Sequence, residues 1–88
     1  MQQFSKVIEY GNDSFTFYFN SIYTVEGDRY HVSVVGKDKK VYSFLMKKDG
    51  ERWVMTNPDN CPHWINHMQD QYSAAIIDAN KLDGLTSI

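Results

Sequence analysis

The sequence predicts an α+β domain: a four-stranded antiparallel β-meander followed by one C-terminal α-helix packed on one face. Two observations carry this. Large apolar side chains alternate along four successive stretches, as in Phe15, Phe17 and Phe19, then Tyr30, Val32 and Val34. Successive strand side chains point to opposite faces, so each stretch builds one apolar side of a sheet. After Pro62 the apolar period changes to that of a helix, with Ile65, Met68, Tyr72, Ala75, Ile76 and Ala79 on one stripe and Trp64 beside it.

The elements follow in order. Residues 1–10 contain Phe4, Val7, Ile8 and Tyr10, a period too brief to separate a short edge strand from half a turn of helix. Gly11-Asn12-Asp13-Ser14 is a turn cluster. The first strand is expected over about 15–25, with Phe15, Phe17 and Phe19 inward and Tyr18 and Ile22 outward. Glu26-Gly27-Asp28 makes a hairpin into a second strand over about 29–35, and Gly36-Lys37-Asp38-Lys39 turns the chain into a third over about 40–48. There Tyr42, Phe44 and Met46 alternate with Val41, Ser43 and Leu45, and the even set is taken as inward. Asp49-Gly50 is a two-residue hairpin signal of type I′, leading to a short fourth strand over about 51–56 with Trp53 and Met55. Short connections between consecutive strands imply an antiparallel meander. Pro62 suits the first position of a helix over about 62–80, which Asp83-Gly84 closes.

The 88 residues form one domain, with no internal repeat, linker or low-complexity segment. Apolar content of 42% and charged content of 23% mark a globular chain, and 15% aromatic content supplies much of the core of so small a domain. Cys61 is the single cysteine, so no internal disulfide forms, and that suits a reducing compartment. No basic segment followed by an apolar stretch opens the chain, and no apolar run approaches the roughly 18 residues of a membrane span. The expectation is a soluble cytoplasmic protein without membrane association.

The net charge of −2 hides a gradient. Residues 29–52 hold Arg29, Lys37, Lys39, Lys40, Lys47, Lys48 and Arg52 against Asp38, Asp49 and Glu51, a local balance of +4, and the rest of the chain is at −6. One reading is solvated hairpin ends whose lysines discourage edge-to-edge pairing. The other is an anion-binding surface, with Tyr18 and Tyr42 as stacking platforms for single-stranded nucleic acid. The order of four strands and then a helix, over residues 15–80, is similar to that of the Whirly and PUR-alpha families. Their domains pair sheets and helices between repeats or subunits and bind single strands. The resemblance lies in element order, and it transfers no functional residue.

The parts of an active site are scarce. His63 and His67 stand i, i+4 on the expected helix and face the same way, with Asp70 or Cys61 as a further metal ligand. Their alternative place is the exposed rim beside Trp64 and Met68. No glutamate lies between them to serve as a base. Cys61 near a helix N-terminus invites a nucleophile, but nothing resembling an oxyanion motif flanks it. No glycine-rich phosphate loop and no carboxylate pair is visible. The expectation is therefore a non-enzyme without cofactor or metal: a binding or interaction module. Its second sheet face, with Tyr18, Ile22, Val35 and Val54, would be covered by the N-terminal segment, by a second copy of the chain in a homodimer, or by a ligand, an unknown protein partner among them.

Overall fold

The computed structural model describes residues 3–86, with side chains over 3–81. It is an antiparallel sheet of five strands, not four, in the order of the chain: β1 (Gln3–Tyr10), β2 (Asp13–Thr24), β3 (Gly27–Val35), β4 (Val41–Asp49) and β5 (Arg52–Met55). A 3-10 turn at Pro58–Asn60 leads to α1 (His63–Asn66) and α2 (Gln69–Thr86).

The additional strand is the N-terminal segment. Gly11, at φ +64, turns the chain back on itself, and β1 pairs with β2 from Tyr10↔Asp13 to Gln3↔Asn20. Phe4, Lys6 and Ile8 thereby stand opposite Phe19, Phe17 and Phe15. Lys6 interrupts the apolar alternation, which is why the period alone did not settle this segment. The Phe4 and Phe19 rings stack at 4.6 Å and 4°, fixing the outer strand to the core.

The expected inward set is buried: Phe15, Phe17, Phe19, Tyr30, Val32, Val34, Phe44, Met46, Trp53 and Met55 from the sheet, with Ile65, Met68, Tyr72 and Ile76 from the helices. Tyr72 is fully buried, its ring 4.9 Å from that of Phe17 and 5.2 Å from that of Phe44. α2 packs along β5 and also reaches β1. These are the two outermost strands, so the sheet curls about the helix.

Three local expectations are corrected. The helix expected over 62–80 is broken at residues 67 and 68. The Ile65 carbonyl accepts the Met68 N–H at 3.2 Å and the Tyr72 hydroxyl at 2.9 Å, so that hydroxyl caps the end of α1. α2 then runs past Asp83-Gly84 to Thr86, because a glycine weakens a helix without forbidding it. The β4–β5 hairpin closes on Asp49↔Arg52, which makes Gly50 and Glu51 its two central residues. Only Gly50 has positive φ, at +65, the pattern of a II′ turn rather than I′.

Candidate functional site

Strand register divides the candidate residues between two faces. On the face away from α2, Ser5, Tyr18, Ser33 and Ser43 lie abreast across β1–β4. Gln3, Asn20, His31 and Leu45 form the row on one side. Val7 and Thr16, with Val35 and Val41, form the row on the other. These twelve neighbouring positions contain no Asp, Glu, Lys or Arg, in a chain that is 23% charged. Val7, Tyr18, Val35 and Val41 are each at least half exposed there. The charges of this face stand at its ends, with Glu9 at one and Arg29 and Lys47 at the other.

The seven basic residues do not gather into one patch. Lys37, Lys39 and Lys40 belong to the β3–β4 turn, where Lys39 takes a left-handed conformation at φ +66. Arg29, Lys47 and Lys48 lie at the other end of the same strands, about 20 Å away at strand spacing. Three of the seven are engaged in ion pairs: Arg29 with Glu26 at 3.5 Å, Lys37 with Asp13 at 2.5 Å and Arg52 with Asp70 at 2.6 Å. Arg29 and Lys47 are cross-strand neighbours and line a hollow of about 440 Å³ with Leu45 and Thr56. Tyr18 and Tyr42 occupy opposite faces. Tyr42 shares the core-side row of Phe17 and Val34, and its hydroxyl donates to Asp38 Oδ2 at 2.6 Å.

A second concave region draws on segments that no short motif connects. Tyr10 at the end of β1, Phe15 of β2 and Trp64 of α1 line a cleft of about 420 Å³ with Asp13, Lys37 and Asp38. The Trp64 ring lies 4.8 Å from Phe15 at 32°, 6.2 Å from Tyr10 at 45° and 6.1 Å from Tyr42 at 90°. Gly36 makes this approach possible. A Cβ there would stand 2.9 Å from Tyr42 Cε2, 2.9 Å from Asp38 Oδ1 and 3.4 Å from Trp64 Cζ2. Asp38 is held low in pKa by the Tyr42 hydroxyl and then by the Lys40 backbone N–H, with the Lys40 charge a lesser cause. The same hydrogen bond raises the Tyr42 phenol.

His63 and His67 are both exposed, with ring centroids 6.4 Å apart. Among the described residues no group of three or more His, Cys, Asp or Glu side chains comes together to hold a metal ion. Cys61 is half-buried between the 3-10 turn and α1, and burial pushes its thiol up, leaving little thiolate at neutral pH. Among the described residues no helix is long and apolar enough to cross a membrane. No family model, curated protein or solved structure matches the chain.

Proposed function

We propose that this chain is a small non-catalytic interaction module that self-associates through the face of β1–β4 turned away from α2. One observation carries the reading: twelve adjacent sheet positions without a formal charge, with exposed Val7, Tyr18, Val35 and Val41 among them. Such a face meets its own copy about a two-fold axis with no like-charge repulsion at the centre, and each copy removes apolar surface from water. Its size sets the strength. Three rows of four residues project about 400 Å² on each copy, about 800 Å² over the pair and below the standard size of a stable interface, so the dimer is weak and reversible, with a dissociation constant in the micromolar range or weaker. The raised Cys61 thiol and the scarcity of catalytic groups favour a binding role over chemistry.

Sedimentation velocity from about 10 to 500 μM is the test, since that span brackets a micromolar constant. The sedimentation coefficient should rise with concentration. A Val35→Lys, Val41→Lys double variant should stay monomeric with stability within about 0.5 kcal/mol, because both side chains are exposed. A wild-type chain that is monomeric throughout defeats the proposal.

The rival reading is weak binding of single-stranded nucleic acid or another polyanion. It is favoured by Tyr18 lying on the same face as the neighbouring Arg29 and Lys47. A titration with labelled oligonucleotide at two salt concentrations separates the two. Phosphate contacts give an affinity that falls steeply with salt, whereas apolar self-association strengthens or holds.

A further inference from the structure

We propose that the cleft between Tyr10, Phe15 and Trp64 binds an organic cation with an alkylated ammonium head, of the kind carried by choline or by trimethylated lysine. The proposal is independent of self-association, which uses a different surface.

The argument begins with the walls. Three aromatic side chains from three separate segments line one cleft of about 420 Å³, ample for a trimethylammonium group with its chain. Phe15 is buried, its ring packed on Trp64 at 4.8 Å, so the ring surface left for a ligand is that of half-buried Trp64 and of Tyr10, which is 39% exposed. An aromatic face attracts a cation through its quadrupole, and Trp does so most strongly. Alkylation matters because a quaternary ammonium has no N–H to leave unsatisfied, and its methyl groups are themselves removed from water against the rings.

The second element is charge. Asp13 and Asp38 stand at the cleft against one lysine, Lys37. Lys37 is paired with Asp13, and that pair is locally neutral. Asp38 has no ion-pair partner within 4 Å among the described residues; the lining side chains sum to about −1, and the Lys40 charge outside the lining offsets part of it. The Tyr42 hydroxyl and the Lys40 N–H fix the Asp38 carboxylate in place and keep it ionised into the acid range. A carboxylate beside aromatic walls favours a cation over a neutral molecule of the same shape, and it disfavours an anion.

The experiment is a titration of the intact protein followed by the NMR signals of the Trp64 indole and the Tyr10 ring. The probes are choline, free trimethyllysine, acetate, and 3,3-dimethyl-1-butanol, the uncharged carbon isostere of choline. Choline or trimethyllysine should shift both signals with a dissociation constant of about 1–10 mM, and the isostere should bind at least about fivefold more weakly. Preference for trimethyllysine identifies a protein-borne cation, and preference for choline a free or headgroup cation; either outcome supports the site. Tyr10→Leu should weaken choline by about two- to fivefold, the range of a half-exposed ring. Asp38→Asn keeps an acceptor for Tyr42 and should weaken choline while leaving the isostere unchanged. Equal binding of choline and isostere overturns the proposal, as does the absence of any shift by about 50 mM. A response to acetate alone also overturns it, since it would make Lys37 the binding group.

Discussion

The backbone N–H of Trp53 donates to the Ser73 hydroxyl at 3.0 Å, joining the outer edge of β5 to the middle of α2. Two residues along, the Met55 N–H donates to Gln69 Oε1 at 3.3 Å. The intervening positions face β4, as the Thr56 N–H to Leu45 carbonyl bond at 3.0 Å shows. The helix thus supplies the hydrogen-bond acceptors that a sixth strand would otherwise provide. An edge satisfied in this way offers no template to another chain.

Ser73→Ala leaves the Trp53 N–H without an acceptor in a buried setting. It should destabilise the fold by about 1–3 kcal/mol, the cost of stranding one buried donor. Urea unfolding checks this through the midpoint, with an unchanged slope. Gln69→Ala should cost less, because the Met55 site is only partly buried and water can replace the amide.

The Tyr72 hydroxyl donates to the Ile65 carbonyl from within the core. Burial pushes this phenol well above the ordinary tyrosine range. Tyr72→Phe keeps the ring against Phe17 and Phe44 but removes the cap. The expected loss is about 1–2 kcal/mol. Hydrogen exchange should show it concentrated at residues 65–68, where the two helices meet. An evenly distributed loss would deny the hydroxyl its capping role.

The core was readable because it is local. Phe15, Phe17 and Phe19 declare a face by their own spacing, as do Phe44 and Met46, and both sets are buried. Tyr42 belongs to the same alternation as Phe44, so its place on the core side, opposite Tyr18, was also present in the pattern. β1 was ambiguous because Lys6 falls on the core-side row, and only pairing with β2 resolves it. The helix break depends on a hydroxyl seven residues further on, and no local period encodes that. Ser73 lies off the apolar stripe of Ile65, Met68, Tyr72 and Ile76, yet it is buried as the acceptor for β5. The aromatic cleft was invisible for the same reason: Tyr10, Phe15 and Trp64 meet only after the sheet has curled about the helices.

The Asp38–Tyr42 hydrogen bond predicts two linked titrations. Asp38 should titrate below the ordinary aspartate value, first because the Tyr42 hydroxyl donates to its charged form. Tyr42 should titrate above the ordinary tyrosine value, first because its hydroxyl proton is held in the hydrogen bond to Asp38, with desolvation and the Asp38 charge adding to it. The signs follow from linkage. A depressed carboxyl contributes stability above its unfolded value and loses it as pH falls through the folded one. A raised phenol contributes below its unfolded value and loses it as pH rises through the folded one. The β3–β4 turn should therefore loosen at both extremes of pH and hold between them. NMR titration of the Asp38 carboxyl and the Tyr42 ring checks this. Asp38→Asn should bring Tyr42 back toward its ordinary value.

Gly36 is the last point at which sequence, turn and cleft meet. It is buried, and its N–H donates to the Lys40 carbonyl at 2.9 Å while its own carbonyl accepts the Lys39 N–H at 3.0 Å. Its backbone needs no left-handed conformation, so any intolerance of a side chain comes from space alone. A methyl group there would meet two atoms at 2.9 Å, and neither retreats freely. Asp38 Oδ1 is tied to the Lys40 N–H at 3.1 Å, and the Tyr42 ring packs edge-on to Trp64. Gly36→Ala should cost about 1–3 kcal/mol, as overpacking does. It should also move Trp64, which a thermal melt cannot see but the indole NMR signal can. A stable Gly36→Ala variant with an unmoved Trp64 signal would mean that the turn and the tryptophan are not packed together, and that the cleft has a different shape.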